Sequence, residues 1–371
     1  MMARISTLLA AFLLTCGASQ AASPKLKDCL GSVDKRISVE DFKKCASFTL
    51  SKKVTSRQKA QLFLQLGVAV ATDQLDSRST RFKGQPTLPV EYWEKAIAAD
   101  KTYAESYLIL ATTFGYRQQP ESKRQFLEAG RIAAPEDPRF DSEIALMDAK
   151  PETSALVGEF CGRATAHPSA DISVFYNCGE AFWLANMKSE AETAFRKAAF
   201  EFPTEQSSRY GVMQSSIGAG TFATHLDQDN RTADAAEFYG RYLALRPPMS
   251  LHFTEFELVG DLYLKAGKPQ QAATFFERAA RQATDDMRDR LRLRQIVSLA
   301  VAGNKAEAYF LSNNFYDGAP KKRVLQLQLK LKNGNFKQLA ITGRFDKDTK
   351  AALEQCFADS QCFLITPGQL L

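Results

Sequence analysis

The chain has 371 residues, 45% of them hydrophobic and 24% charged, with a net charge of +6. That balance is ordinary for a packed globular protein and excludes a disordered or collagen-like chain. At about 150 residues per domain the length implies two or three domains, although a helical repeat array escapes that count because each unit packs only on its neighbours.

Residues 1–21 read as a secretory signal. Arg4 supplies the positive start, Leu8 to Leu14 the apolar run, and Ser19-Gln20-Ala21 the small residues before a cleavage site placed after Ala21. The alternative, a lipoprotein signal at Leu13-Leu14-Thr15-Cys16, is disfavoured because Thr15 stands where a small Gly, Ala or Ser is usual. No later segment reaches about 18 uninterrupted apolar residues, so no transmembrane helix is expected.

With Cys16 removed, six cysteines remain, and they fall as three close pairs. Local pairing predicts Cys29–Cys45, Cys161–Cys178 and Cys356–Cys362, which suits an oxidising compartment. The alternative is that some are free buried thiols. Zinc is not expected, because the chain contains no C-x-x-C pair and only three histidines. Residues 22–55 are read as a stapled N-terminal cap of two short helices, with Asp41 near the start of the second.

From residue 56 to 318 the pattern is that of paired amphipathic helices. Phe63 and Gly67 open a first pair. Its second helix, with Trp93 and Ala96, follows a polar insert from Thr72 to Leu88. Tyr107, Ala111 and Phe114 open the next pair, and Phe126, Ala129 and Pro135 follow. A weaker unit covers 138–168, with Asp141 where an aromatic residue is usual. The clearest unit has Phe175, Cys178, Gly179 and Phe182 on one face, then Ala191, Phe195 and Ala198, then Pro203 to stop the helix. A longer unit from about 205 to 248 is expected to carry its insert between Gly218 and Asn230. Phe256, Gly260 and Tyr263, followed by Ala272, Phe276 and Ala279, make another clear pair, and 286–316 reads as a degenerate end cap. The small residues Ala111, Ala145 and Gly179 are each 34 residues apart. These aromatic and small positions resemble the tetratricopeptide repeat. The resemblance implies an all-α, right-handed α-solenoid of six or seven helix pairs that receives a protein or peptide on its face. Tyr107, Thr113 and Asn177 are taken as examples of contact residues there.

The last segment, 319–371, carries nine Lys and Arg against four acids. That suits an anionic surface or polymer, and a solvated charged helix is the equal alternative. Leu327-Gln328 begins a helix that Gly334 ends. Gly343-Arg344-Phe345 follows, and then a second helix through Thr349, Ala351 and Ala352, capped by Asp346 or Asp348. This run resembles the small helical peptidoglycan-binding domain of wall hydrolases, although Thr342 stands where the family has Asp and Asp346 where it has Gly. The resemblance implies contact with peptidoglycan, in which Phe345 stacks on sugar and the Arg344 guanidinium meets stem-peptide carboxylates. A module retained only for packing is the alternative.

No nucleophile elbow, phosphate loop, dinucleotide fingerprint or metal-binding His spacing occurs, and His167, His225 and His252 read as surface or capping residues. The expectation is a non-catalytic scaffold of the periplasm or cell envelope, with no cofactor, no metal and no nucleic-acid partner. The alternatives are a secreted adaptor or assembly factor without wall binding, and a wall-glycan enzyme or its subunit.

Overall fold

The structure is a computed structural model that describes residues 26–30, 39–75, 89–202, 209–245 and 252–358. Among the described residues the regular structure is eighteen α-helices and one 3-10 turn, Pro151–Thr153, so the chain is all-α. None of these helices is long and apolar enough to cross a membrane. The expected signal segment, Pro203, Cys362 and the loop beyond residue 75 lie outside the described residues. The chain divides into two compact units, Met1–Ala170 with Ala181–Lys188, and Asp171–Glu180 with Ser189–Leu371.

The first unit holds α1 (Leu26–Cys29), α2 (Val39–Phe48), α3 (Ser56–Leu75), α4 (Pro89–Ala99), α5 (Ala104–Tyr116), α6 (Pro120–Ala133), α7 (Pro138–Asp148) and α8 (Ser154–Ala166). Each packs on the next in sequence, from α1 on α2 through α7 on α8. The Cys29–Cys45 disulfide joins α1 to α2, and both cysteines are buried with Val54, Leu62, Leu66 and Val70. That bridge closes a loop that the few apolar residues of α1 do not hold alone. Cys161, Cys178 and Cys356 are disulfide-bonded as well. These bonds fit an oxidising compartment outside the cytoplasm.

Within and between the pairs a residue without a bulky side chain lets an aromatic ring lie against the opposite backbone. A Cβ at Gly67 would overlap the Trp93 indole, whose Nε1 donates to the Leu64 carbonyl at 3.3 Å. A Cβ at Gly130 would overlap the Phe140 ring, which Tyr107 meets edge-on at 6.5 Å. Ala96, Ala111 and Ala145 are buried at the same kind of position. Asp141, in the place usual for an aromatic residue, forms an ion pair with Arg163 at 3.0 Å.

Helix α9 (Ile172–Leu184) spans the division between the units. Asp171 caps it by accepting from the N–H groups of Ser173 and Val174 at 2.9 and 3.1 Å. The second unit continues with α10 (Lys188–Phe200), α11 (Arg209–Gln228), α12 (Thr232–Ala244), α13 (Phe253–Lys265), α14 (Pro269–Gln282), α15 (Asp285–Val301), α16 (Lys305–Tyr316), α17 (Lys321–Asn333) and α18 (Lys347–Ala358). Sequence neighbours again pack together from α11 to α16, while α18 packs on both α16 and α17. Phe195 lies over Gly179 and Phe276 over Gly260. Ala191, Ala198, Ala272 and Ala279 are buried, as are Phe175, Phe182 and Phe256.

Two inserts differ from the sequence reading. Gly218, Ala219 and Gly220 do not open a loop: they lie inside the 20-residue α11, which runs to Gln228. The glycines there make room for tyrosines, with Tyr176 over Gly218 and the Tyr239 hydroxyl 3.3 Å from a Cβ position at Gly220. Helical packing thus outweighs the low helix propensity of two glycines. Likewise α3 continues to Leu75 through the start of the expected insert at Thr72.

Charged rungs recur at a common spacing. Arg139 meets Glu105 at 2.9 Å across 34 residues, and Arg290 meets Glu257 at 2.6 Å across 33. Arg294 pairs with Asp261, and Arg323 with Asp289, at the same spacings.

A Cβ at Gly260 would stand 2.5 Å from Phe276 Cε1, well inside van der Waals contact. We expect Gly260→Val to destabilise the second unit by about 2–3 kcal/mol, the usual cost of overpacking a filled core. Urea unfolding followed by circular dichroism measures it, and an unchanged midpoint would show that the helices separate freely.

Candidate functional site

The residues with the most distinctive chemistry gather around Gln328 in the C-terminal segment. Its side chain is fully buried. The amide Nε2 donates to Thr342 Oγ1 at 3.1 Å, to the Arg344 carbonyl at 3.0 Å and to Thr349 Oγ1 at 2.9 Å. Its Oε1 accepts from the Gly343 N–H at 2.8 Å. A buried amide satisfied on both ends fixes the backbone it touches, because each lost partner would leave a desolvated polar group. Gln328 therefore ties the middle of α17 to the turn before α18 and to the first helical turn of α18.

Asp346 completes the lattice. Its Oδ1 accepts from the Thr349 hydroxyl at 2.6 Å and the Thr349 N–H at 2.9 Å, and Thr342 donates to Oδ2 at 3.0 Å. Asp346 is thus the N-cap, and Asp348 stands exposed in the first turn. These bonds, the Thr349 hydroxyl first, hold the Asp346 carboxyl below its ordinary value of 3.8. Gly343 has φ +73°, in the left-handed region, and the Lys321 side chain occupies the space where a Cβ would stand. Gly334 caps α17. Leu327 is buried together with Leu331, Leu353, Cys356 and Phe357, in one cluster with Ile296, Leu299, Ala300 and Ala308 of α15 and α16. The segment after residue 319 therefore shares a core with the helix pair before it.

Phe345 is half-buried. It packs on Tyr316 at 5.7 Å between centroids, and the Lys350 ammonium lies 5.2 Å from its centre on the way to Asp317. Burial pushes the Tyr316 phenol up to about 12, which marks how dry this contact is. Arg344 is exposed, with its carbonyl rather than its guanidinium held by Gln328.

The array's three named contact residues also move inward. Tyr107 and Asn177 are buried, and Thr113 is half-buried with its hydroxyl donating to the Ile109 carbonyl at 2.8 Å. A tyrosine beside Gly130 of its own pair and Phe140 of the next belongs to the packing between helices. Of the other signature residues, Phe63, Phe114 and Tyr263 are half-buried. Phe114 stacks on Phe126 at 5.4 Å and Tyr263 on Phe275 at the same distance.

The histidines hold structural places. His252 caps α13, accepting from the Thr254 N–H at 3.4 Å, while its own N–H donates to Glu255 at 2.8 Å. His225 Nε2 is 2.8 Å from Glu180, and His167 Nδ1 is 2.8 Å from Ser169 Oγ. Among the described residues no group of three His, Cys, Asp or Glu side chains is placed to hold a metal ion.

Replacing Gln328 by Leu keeps the volume and removes both N–H groups shared among three acceptors and the oxygen that accepts from Gly343. We expect a loss of about 2–4 kcal/mol, read by thermal unfolding, since several buried partners become unsatisfied. Asp346 has a folded pKa below its unfolded one, so its contribution is full above pH 3.8 and fades as the pH falls through the lower folded value. Asp346→Asn should flatten that acid limb of a stability-against-pH curve between pH 5 and 2 (about the span of such a transition), and an unaltered limb would remove the cap from this role.

No protein-family model matches the chain, and no curated protein matches it either.

Proposed function

We propose that the protein is an exported, non-catalytic scaffold of the cell envelope. Its helix pairs receive a protein or peptide partner, and its C-terminal segment contacts peptidoglycan. The observation that carries the wall contact is the Gln328 lattice. It links the Leu-Gln helix, the Gly343 turn and the Thr349 helix, the same residues in which the sequence resembles a peptidoglycan-binding domain. The departures from that family, Thr342 and Asp346, remain inside the lattice as hydrogen-bonding partners of one another. The disulfides support a compartment beyond the cytoplasm, and the periplasm is where a wall polymer and a folded partner are both within reach.

Removing residues 319–371 is a poor test, because Leu327, Leu331 and Leu353 would be stripped from the core of α15 and α16. The full-length mature protein should instead be incubated with purified sacculi. We expect it to pellet with them saturably and to release no soluble muropeptides. Failure to pellet would leave an adaptor without wall contact, and released muropeptides would establish a wall-glycan enzyme.

A further inference from the structure

Arginines ahead of the C-terminal segment are commonly matched to acids: Arg139 to Glu105, Arg163 to Asp141, Arg231 to Glu192, and Arg290 and Arg294 to Glu257. The C-terminal segment departs from that habit. Arg323 pairs with Asp289, and Lys350 approaches Asp317 at 3.8 Å. Lys321, Lys322, Arg344 and Lys347 are exposed and form no ion pair among the described residues. The acid nearest in sequence to Arg344, Asp346, is spent on Thr342 and Thr349. Asp348 and Glu354 are the exposed acids of α18.

The placement of two of these cations is built by the fold. The Lys321 side chain lies over Gly343, its Cγ 2.6 Å from where a Cβ would be, and Gly343 immediately precedes Arg344. Only a residue without Cβ, in the left-handed region, lets the Lys321 stem cross the turn there. The turn itself cannot drift, because Gln328 holds the Gly343 N–H and the Arg344 carbonyl. Lys321 and Lys322 also open α17, whose first turn carries no acid. Cations in that position oppose the helix dipole. A local rule broken without internal compensation is expected where binding is the gain.

From this arrangement we infer that Lys321 and Arg344 form a binding surface for carboxylates, those of peptidoglycan stem peptides. The inference rests on the wall contact proposed above and gives that contact its chemistry. Recognition is by ion pairing on a rigid turn, and Phe345 serves only to hold the turn against Tyr316. A guanidinium presents a planar fork to a carboxylate, and the neighbouring ammonium adds a point charge. A surface fixed before binding avoids much of the ordering cost. Salt weakens such contacts.

The test uses the full-length protein, native sacculi, sacculi whose free carboxyls are amidated with ethanolamine, and phosphatidylglycerol vesicles. The wild type should bind native sacculi and lose at least about tenfold in affinity on the amidated ones, a factor that corresponds to roughly 1.4 kcal/mol. Lys321→Gln with Arg344→Gln should lose a similar factor on native sacculi while keeping the wild-type melting temperature. Equal binding to native and amidated sacculi, or undiminished binding by the double variant, overturns the inference and leaves the wall contact standing. Tighter binding to the vesicles than to sacculi overturns it in favour of a phosphate surface. No binding of the wild type to native sacculi overturns the wall contact and the inference together.

Discussion

Two helices joined by a short turn can share a core only if their axes come close, and closeness demands that one side surrender its side chain. In this protein a glycine or alanine on one helix of a pair faces an aromatic ring on the other. Gly67 takes Trp93, Gly179 takes Phe195 and Gly260 takes Phe276, while Gly130 takes Phe140 from the following pair. The ring then covers backbone as well as side chain, and the contact area gained by one such aromatic residue is large. Buried Ala191, Ala198, Ala272 and Ala279 extend the same approach along the seam. The charged rungs spaced 33 and 34 residues apart follow from it, because regular packing returns the same surface positions to the same neighbours.

Most of this was legible in the sequence, since an aromatic residue and a small one at helical spacing have few other uses. The 34-residue interval among Ala111, Ala145 and Gly179 located even the unit whose aromatic position is taken by Asp141. The glycines of α11 misled for a physical reason. Two glycines near a polar stretch carry the local signal of a loop, and only the tertiary neighbours Tyr176 and Tyr239 make them fit a helix. Tyr107 and Asn177 misled differently. A helical wheel separates a stripe from its flanks, but Tyr107 also touches a ring from the following pair, Phe140, which no single wheel contains.

At the C-terminal segment the sequence pointed to residues whose joint structural role it did not show. Gln328, Gly343 and Thr349 stood out through resemblance, yet their joint role depends on a single amide reaching three segments at once. Lys321 carried no signal beyond being one of nine basic residues in the segment. Its value comes from lying across a glycine twenty-two positions later. Phe345 carried a misleading one, because an aromatic residue beside an arginine suggests a binding face whether or not a Tyr316 waits to receive it.

The shared core of α15 to α18 has a mechanical side. Leu327, Leu331, Leu353 and Phe357 interlock with Ile296, Leu299 and Ala308. A pull applied at the exposed turn of Arg344 is therefore borne by packed hydrocarbon in shear, distributed over several helices, before it reaches any single loop. A module hung from a slack linker would let the chain swing and would pass on no tension until the linker was taut. Here strain at that turn enters α15 and α16 directly, through the side chains they share with α17 and α18.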